Sequence, residues 1–339
     1  MGTISVKESR VAPRLPIERW RPVALSREVR RAPVAVPLLG REIVLFRNGR
    51  GSVGALTDRC YHRGMRLSTG KVRDGLLVCP YHGWTYCPTG EVQSPSTPTL
   101  KLRAQMYEVA ERDGLVWIRE EGGNDDLPDA IEPGLEYLHS LSRTIEAALP
   151  AVMDNFTEVE HTGIAHWQFG YDPNRLDEIM VTTEEVDDIV QVRTVGPQRP
   201  LLPTTRLGFG IRAGMQLVCE WETTFTPPRS IWRWYWIDPA SGERAGRWFK
   251  AVAYFNAISP SRTKLLTYYF WSRARIDDFY FGLLAKPLIR LATRYEVKLD
   301  AMLIEGLCDF GSGIPPKPGN RFDNGLVLQR KRLSQEEHY

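Results

Sequence analysis

Cys60-Tyr61-His62-Arg63-Gly64 and Cys79-Pro80-Tyr81-His82-Gly83 are the two stretches that decide how this 339-residue chain is read. Each sets a thiolate beside an imidazole, as C-x-H and C-x-x-H, with 16 residues between His62 and Cys79. A glycine follows each pair, where the backbone must come close to whatever is bound. A zinc finger uses the same donor types, but commonly pairs cysteine with cysteine and histidine with histidine. Giving each cysteine its own histidine suits a binuclear iron–sulfur centre instead, with the cysteines on one iron and the histidines on the other.

The longer segments 60–68 and 79–86 resemble the two ligand loops of Rieske proteins. The resemblance implies a [2Fe–2S] cluster on Cys60, His62, Cys79 and His82, with Cys87 a non-ligand. Imidazole in place of thiolate makes the cluster less negative and raises its potential above that of all-cysteine ferredoxins. Such a centre passes single electrons and does not by itself transform a substrate.

Two more of the six histidines lie in Asp154-Asn155-Phe156-Thr157-Glu158-Val159-Glu160-His161-Thr162-Gly163-Ile164-Ala165-His166. Pro150 opens a predicted helix over 151–163, which puts Glu158 and His161 on one face. His161 and His166 diverge by about 140° on a continuous helix, so it must end or kink between them, and Gly163 supplies a reason. Two imidazoles and a carboxylate make the facial triad of non-haem Fe(II).

This segment resembles the mononuclear-iron motif of Rieske oxygenases, N-x-x-D-x-x-H-x₄-H. Asn155, His161 and His166 match; Glu158 stands where the family usually has Asp. In the family that carboxylate is not a ligand but bridges an iron histidine to a cluster histidine of the adjacent subunit. The segment 294–305 resembles the family's late helix and implies Asp300 as third ligand, leaving Glu296 and Glu305 as helix-surface charges. His139 and His338 are expected at the surface.

The rest of the chain frames these sites. Residues 20–120 read as short strands cut by turns, with Asp113-Gly114 the strongest hairpin dipeptide. A polar linker over 121–126 suggests a boundary between a domain at 17–120 and another at 121–339, with 1–16 packing on the latter. Beyond it come strand-like runs at 179–183, 189–195, 216–225, 231–237, 251–257 and 264–271. A helical stretch over 277–309 should be broken or kinked near Pro287. The predicted fold is α+β: an N-terminal all-β Rieske domain and a C-terminal antiparallel-sheet catalytic domain with flanking helices. Trp232, Trp234 and Trp236 alternate on one strand face, read as packed sheet more than pocket lining. Trp221, Phe225, Phe255, Tyr268 and Phe270 suit an apolar pocket or a core equally, and Asn256 is a candidate to orient a polar group.

A net charge of +3 is too small to argue for nucleic acid, and the basic runs at 27–31 and 330–332 read as solvated surface. Five cysteines, an odd count, argue against a disulfide framework. The sequence carries no apolar run of spanning length and no secretory signal pattern, which implies a cytoplasmic protein without a membrane. The resemblance implies an oxygenase component, more a monooxygenase or demethylase of the vanillate and dicamba type than a cis-dihydroxylating dioxygenase. It also implies Fe(II), O2, NAD(P)H acting through a ferredoxin or flavin reductase, a small aromatic or heterocyclic substrate, and a homotrimer. A Rieske electron carrier without oxygenase activity is the alternative from another class.

Overall fold

Alternating apolar residues and two-residue turns build most of the strands. In the computed structural model, which describes residues 17–123, 125–128, 132–166, 170–272, 278–307 and 320–335, the chain falls into two units. Residues 17–18, 28–110 and 118–123 belong to the first; 19–27, 111–117 and the described residues from 125 onward belong to the second. The units interleave in sequence, because two segments ahead of the polar linker group with the later unit. The expectations for 1–16, Cys308 and His338 lie outside the described residues.

In the first unit, strands Val34–Leu38, Arg41–Arg47 and Val53–Thr57 pair antiparallel, and Met106–Arg112 adds to the last of them. A second sheet holds Lys71–Arg73, Leu76–Val78, Thr85–Tyr86, Glu91–Ser94 and Thr97–Arg103 in chain order. Asp74 and Gly75 turn its first hairpin with φ of 51° and 78°, the paired positive values of a type I′ turn. Val44, Phe46, Leu56, Leu67, Leu77 and Tyr86 form a core that also contains Cys60 and Cys79.

The second unit is built on a seven-stranded antiparallel sheet. Its order is Leu135–Ile145, Arg262–Ser272, Arg244–Ser259, Pro228–Ile237, Gln216–Phe225, Ile189–Pro197, Met180–Val186. The helices are α1 (Leu149–Thr157), α2 (Glu160–Ala165), α3 (Pro203–Phe209), α4 (Asp278–Glu305) and α5 (Asn324–Gln335). Buried residues of α1 (Leu149, Val152) and α4 (Val297, Ala301, Ile304) share one cluster with the sheet face of Trp232, Ala251, Ala253 and Leu265.

Several expectations need correction. The helix predicted over 151–163 is two helices, broken at Glu158, whose backbone is extended at φ −88°, ψ 140°. The second ends at Ala165, and His166 is again extended. The reorientation of His166 therefore comes from this end, not from Gly163, which is buried inside α2. A Cβ on Gly163 would meet Leu176 Cδ2 at 2.8 Å, so glycine there permits close packing. The α4 helix is continuous through Pro287, so of the expected break or kink the break is absent. Burial of Ala285, Ile289, Val297, Ala301 and Ile304 along it outweighs the one backbone bond that proline removes. The basic run at 330–332 is not solvated tail: Arg330 pairs with Asp154 at 2.6 Å and Arg332 with Glu185 at 2.5 Å.

Candidate metal centres

In the first unit the two ligand loops are near copies of each other. Cys60 N–H donates to Met65 O and Cys79 N–H to Trp84 O, both at 2.8 Å. Gly64 N–H returns to Cys60 O and Gly83 N–H to Cys79 O, at 2.9 and 3.1 Å. Both glycines sit in the left-handed region, φ 69° and 71°, which lets each loop reverse tightly after its histidine. The cysteines are buried at 3% and 2% exposure, while His62 and His82 are exposed with ring centroids 4.4 Å apart. This split fits a binuclear cluster whose thiolate-bound iron lies inside and whose imidazole-bound iron faces out. It fits one zinc ion poorly, because among the described residues these four donors do not converge on a single point. Tyr86 donates its hydroxyl to Cys60 Sγ at 3.1 Å, the kind of hydrogen bond that tunes cluster potential. Burial holds the Cys79 thiol above its ordinary pKa, partly offset by the Tyr81 and His82 amides that point at it. Cys87 bonds Thr89 and Glu91 instead.

In the second unit His161, His166 and Asp300 bring one donor atom each to within 4.8 Å of one another. Asp300 Oδ1 lies 2.8 Å from His166 Nε2 and 3.4 Å from His161 Nε2. The other face of each ring meets a carboxylate: Glu158 Oε2 at 2.7 Å from His161 Nδ1, Glu296 Oε2 at 3.0 Å from His166 Nδ1. With Nδ1–H of His161 donating to Glu158 and Nδ1 of His166 within ion-pair distance of Glu296, both Nε2 atoms are left facing Asp300, as a metal requires. Two imidazoles and one carboxylate that leave one side open fit ferrous iron. Burial opposes charge on His166, but Asp300 and Glu296 outweigh it and raise its pKa to about 9. Glu158 stands outside the helix, and its carboxylate also accepts from the backbone N–H groups of Glu160 and His161, capping α2. Arg199, which the sequence did not single out, donates to the carbonyls of Gly163 and His166 and so fixes the chain on both sides of the α2 terminus. Glu296 did carry a signal: it lies four residues before Asp300, on the same face of α4.

Residues 19–105 match the family described as Rieske [2Fe-2S] domain. The chain carries a Rieske domain over those residues. It is 33% identical over 174 residues to methylxanthine N1-demethylase NdmA of Pseudomonas putida, covering 47% of this chain and 49% of the relative. Phenoxybenzoate dioxygenase subunit alpha of Ectopseudomonas oleovorans is 41% identical over 104 residues, 29% of this chain and 25% of that one. The chain thus spans about half or less of the length of these curated relatives. Its fold is that of dicamba monooxygenase, solved with 3,6-dichlorosalicylic acid: TM-score 0.78, 19% identity, covering 95% of this chain and 98% of that one.

Beside the histidine–carboxylate set, the second unit holds a cavity of about 230 Å³. Trp221, Trp232, Trp234, Trp236, Phe156 and Phe249 line it, so the tryptophan face is a pocket wall as well as core. Neighbouring strands put Tyr269, Ala251, Trp232 and Trp221 side by side across the sheet. Two small residues of strand Arg244–Ser259, Ala251 and Ala253, leave the space that the rings surround. Asn155 also lines the cavity, with Oδ1 buried and unbonded among the described residues. Phe225, Phe255, Tyr268 and Phe270 are not in its wall. Asn256 is buried at 3% exposure and donates to Pro22 O at 2.7 Å, so it orients backbone rather than a ligand. His139 is not at the surface: it is 6% exposed, and desolvation lowers its pKa to about 4.

Proposed function

We propose that this chain is the terminal oxygenase of a multicomponent system that hydroxylates or oxidatively demethylates a small aromatic or heterocyclic molecule. The observation that carries the reading is a two-histidine, one-carboxylate set in the wall of an aromatic cavity, in a chain that also bears a Rieske domain. Electrons originate in NAD(P)H and arrive from a flavin reductase, directly or through a ferredoxin. The metals supply the redox chemistry when bound, the cluster passing single electrons and ferrous iron activating dioxygen. The chain's residues do the rest. Cys60, Cys79, His62 and His82 hold the cluster; His161, His166 and Asp300 hold the iron. Glu158 and Glu296 keep both imidazoles in the tautomer that presents Nε2. The ring-lined cavity excludes water and orients the substrate beside the iron ligands.

Demethylation is favoured over ring dihydroxylation because the relative matched over the longer stretch, NdmA, is named a demethylase, whereas the dioxygenase subunit matches over 104 residues only. A pure electron carrier has no use for the second donor set. Glu158 is assigned the link between His161 and a cluster histidine of an adjacent copy in a homotrimer, and the protein is placed in the cytoplasm. The decisive experiment is metal analysis of anaerobically purified protein. We expect about three irons and two sulfides per chain, and Asp300→Ala should lose about one iron while keeping the cluster's visible spectrum. Two irons in the unmodified protein would leave only the electron carrier. Retention of all iron by Asp300→Ala would move the ligand to Glu296.

A further inference from the structure

Several polar groups of the cavity wall are left unbonded among the described residues, and one of them is a clamped aromatic donor. Tyr269 lies on strand Arg262–Ser272 and lines the cavity. Its hydroxyl has no hydrogen-bond partner among the described residues; Thr267 Oγ1 and Asn155 Oδ1 in the same lining are also unbonded, but Asn155 Oδ1 can only accept. Thr293 Oγ1 meets Ile289 O at 2.9 Å and His139 Nε2 at 2.7 Å, and Glu296 holds His166. The Tyr269 ring is fixed by stacking on His139, with centroids 4.9 Å apart and planes 18° from parallel. His139 is in turn held by Thr293, on the helix that carries Asp300. A phenol so clamped presents its O–H in one place. Burial, with the nearby Asp300 and Glu296 charges, drives its pKa far above the ordinary value, so it serves as a donor at any working pH. A hydroxyl in an apolar cavity calls for an acceptor.

Charge narrows the choice of acceptor. Glu158, Glu296 and Asp300 line the cavity, and among its described lining residues there is no lysine or arginine. With ferrous iron on Asp300, an anion entering would still face the Glu158 and Glu296 carboxylates and would find no basic side chain in the described lining to pair with. Apolar cavities of about 150 Å³ accept a single benzene ring, so about 230 Å³ admits two fused rings.

We propose that Tyr269 determines the specificity of this site, donating a hydrogen bond to an acceptor oxygen or nitrogen of a neutral, planar aromatic substrate, and that carboxylate-bearing substrates are disfavoured. The inference rests on the oxygenase reading for the use of the cavity. Equilibrium dialysis of metal-loaded protein against three bicyclic probes tests it: coumarin, which has a carbonyl acceptor; naphthalene, which has none; and 2-naphthoate, which is an anion. Tyr269→Phe should weaken coumarin binding about fivefold and leave naphthalene within about twofold, as expected for one neutral hydrogen bond. 2-Naphthoate should bind the unmodified protein at least about tenfold more weakly than coumarin. The proposal is overturned if Tyr269→Phe affects coumarin and naphthalene alike or affects neither, if 2-naphthoate binds as well as coumarin, or if no neutral ring binds. Iron and sulfide content of the same samples reports the oxygenase reading separately: full metal with no ring bound sinks only the substrate inference.

Discussion

Glu158 does three things with one carboxylate. It caps α2, holds His161 Nδ1 and, in the proposed trimer, faces the next copy. The extra methylene relative to aspartate is accommodated because the residue stands in the extended break between helices, free of a helical rotamer. Glu158→Ala is expected to keep both metals yet nearly abolish product formed per NAD(P)H consumed, and to lose about 1 kcal/mol of stability with the cap. Full coupled turnover in that variant would take the link away from this residue. Glu296 acts on the other imidazole. Glu296→Gln should weaken iron(II) binding about ten- to a hundredfold, read by chelator competition, since an outer partner orients the ligand ring. Proton linkage gives the same site a pH signature. The pKa of His166 is raised from 6.5 to about 9, so in metal-free protein its imidazolium stabilises the fold fully below pH 6.5. That contribution disappears as pH rises through about 9. Iron competes with this proton, so iron affinity should climb between those two values, more shallowly in Glu296→Gln. A flat profile in the unmodified protein would contradict the assignment.

At the scale of elements, what the sequence could and could not reveal follows from where each signal resides. Gln216–Phe225 was legible residue for residue, because alternation and β-branched or aromatic composition are local. Leu135–Ile145 was not: a register shift between Tyr137 and His139 spoils its period of two. Helix α5 escaped as well, since it is held by Asp154 gripping Gln329 and Arg330, contacts about 175 positions apart. The ligand spacing around His161 was readable, but the break that makes it work was assigned to the wrong residue. Propensity points to glycine, whereas the helix ends where Glu158 and Arg199 satisfy its termini. Gly163 has a packing duty instead. Gly163→Val should cost about 1–3 kcal/mol in denaturant unfolding, because its side chain drives into Leu176. It should also lower iron occupancy while the cluster spectrum stays unchanged. Unaltered stability would mean that Leu176 can move aside.

For the whole molecule, function divides between two units that do different chemistry. The first buries its thiolates in a hydrophobic core and exposes its imidazoles, an outlet for electrons at the surface. The second keeps Asp300 buried and His161 and His166 half-buried beside a cavity, where the chemistry needs dryness. The proposed homotrimer makes sense of this division, and sedimentation equilibrium should return a particle of three chains; a monomer at micromolar concentration would refute it.

The contact between His166 and Asp300 joins positions 134 apart in the chain. Two of the three donors, His161 and His166, arrive on α2 and the residue just after it, early in the second unit, and the third, Asp300, on α4, after the sheet's last strand in the sequence. A metal seated there is therefore a clasp that can close only once the unit has folded, and its binding energy adds to the stability of the closed form by mass action. Removing iron should raise amide hydrogen exchange along α4 selectively, while the central strands Pro228–Ile237 and Gln216–Phe225 keep their protection. Equal exchange in α4 with and without iron would show that packing alone holds the clasp shut.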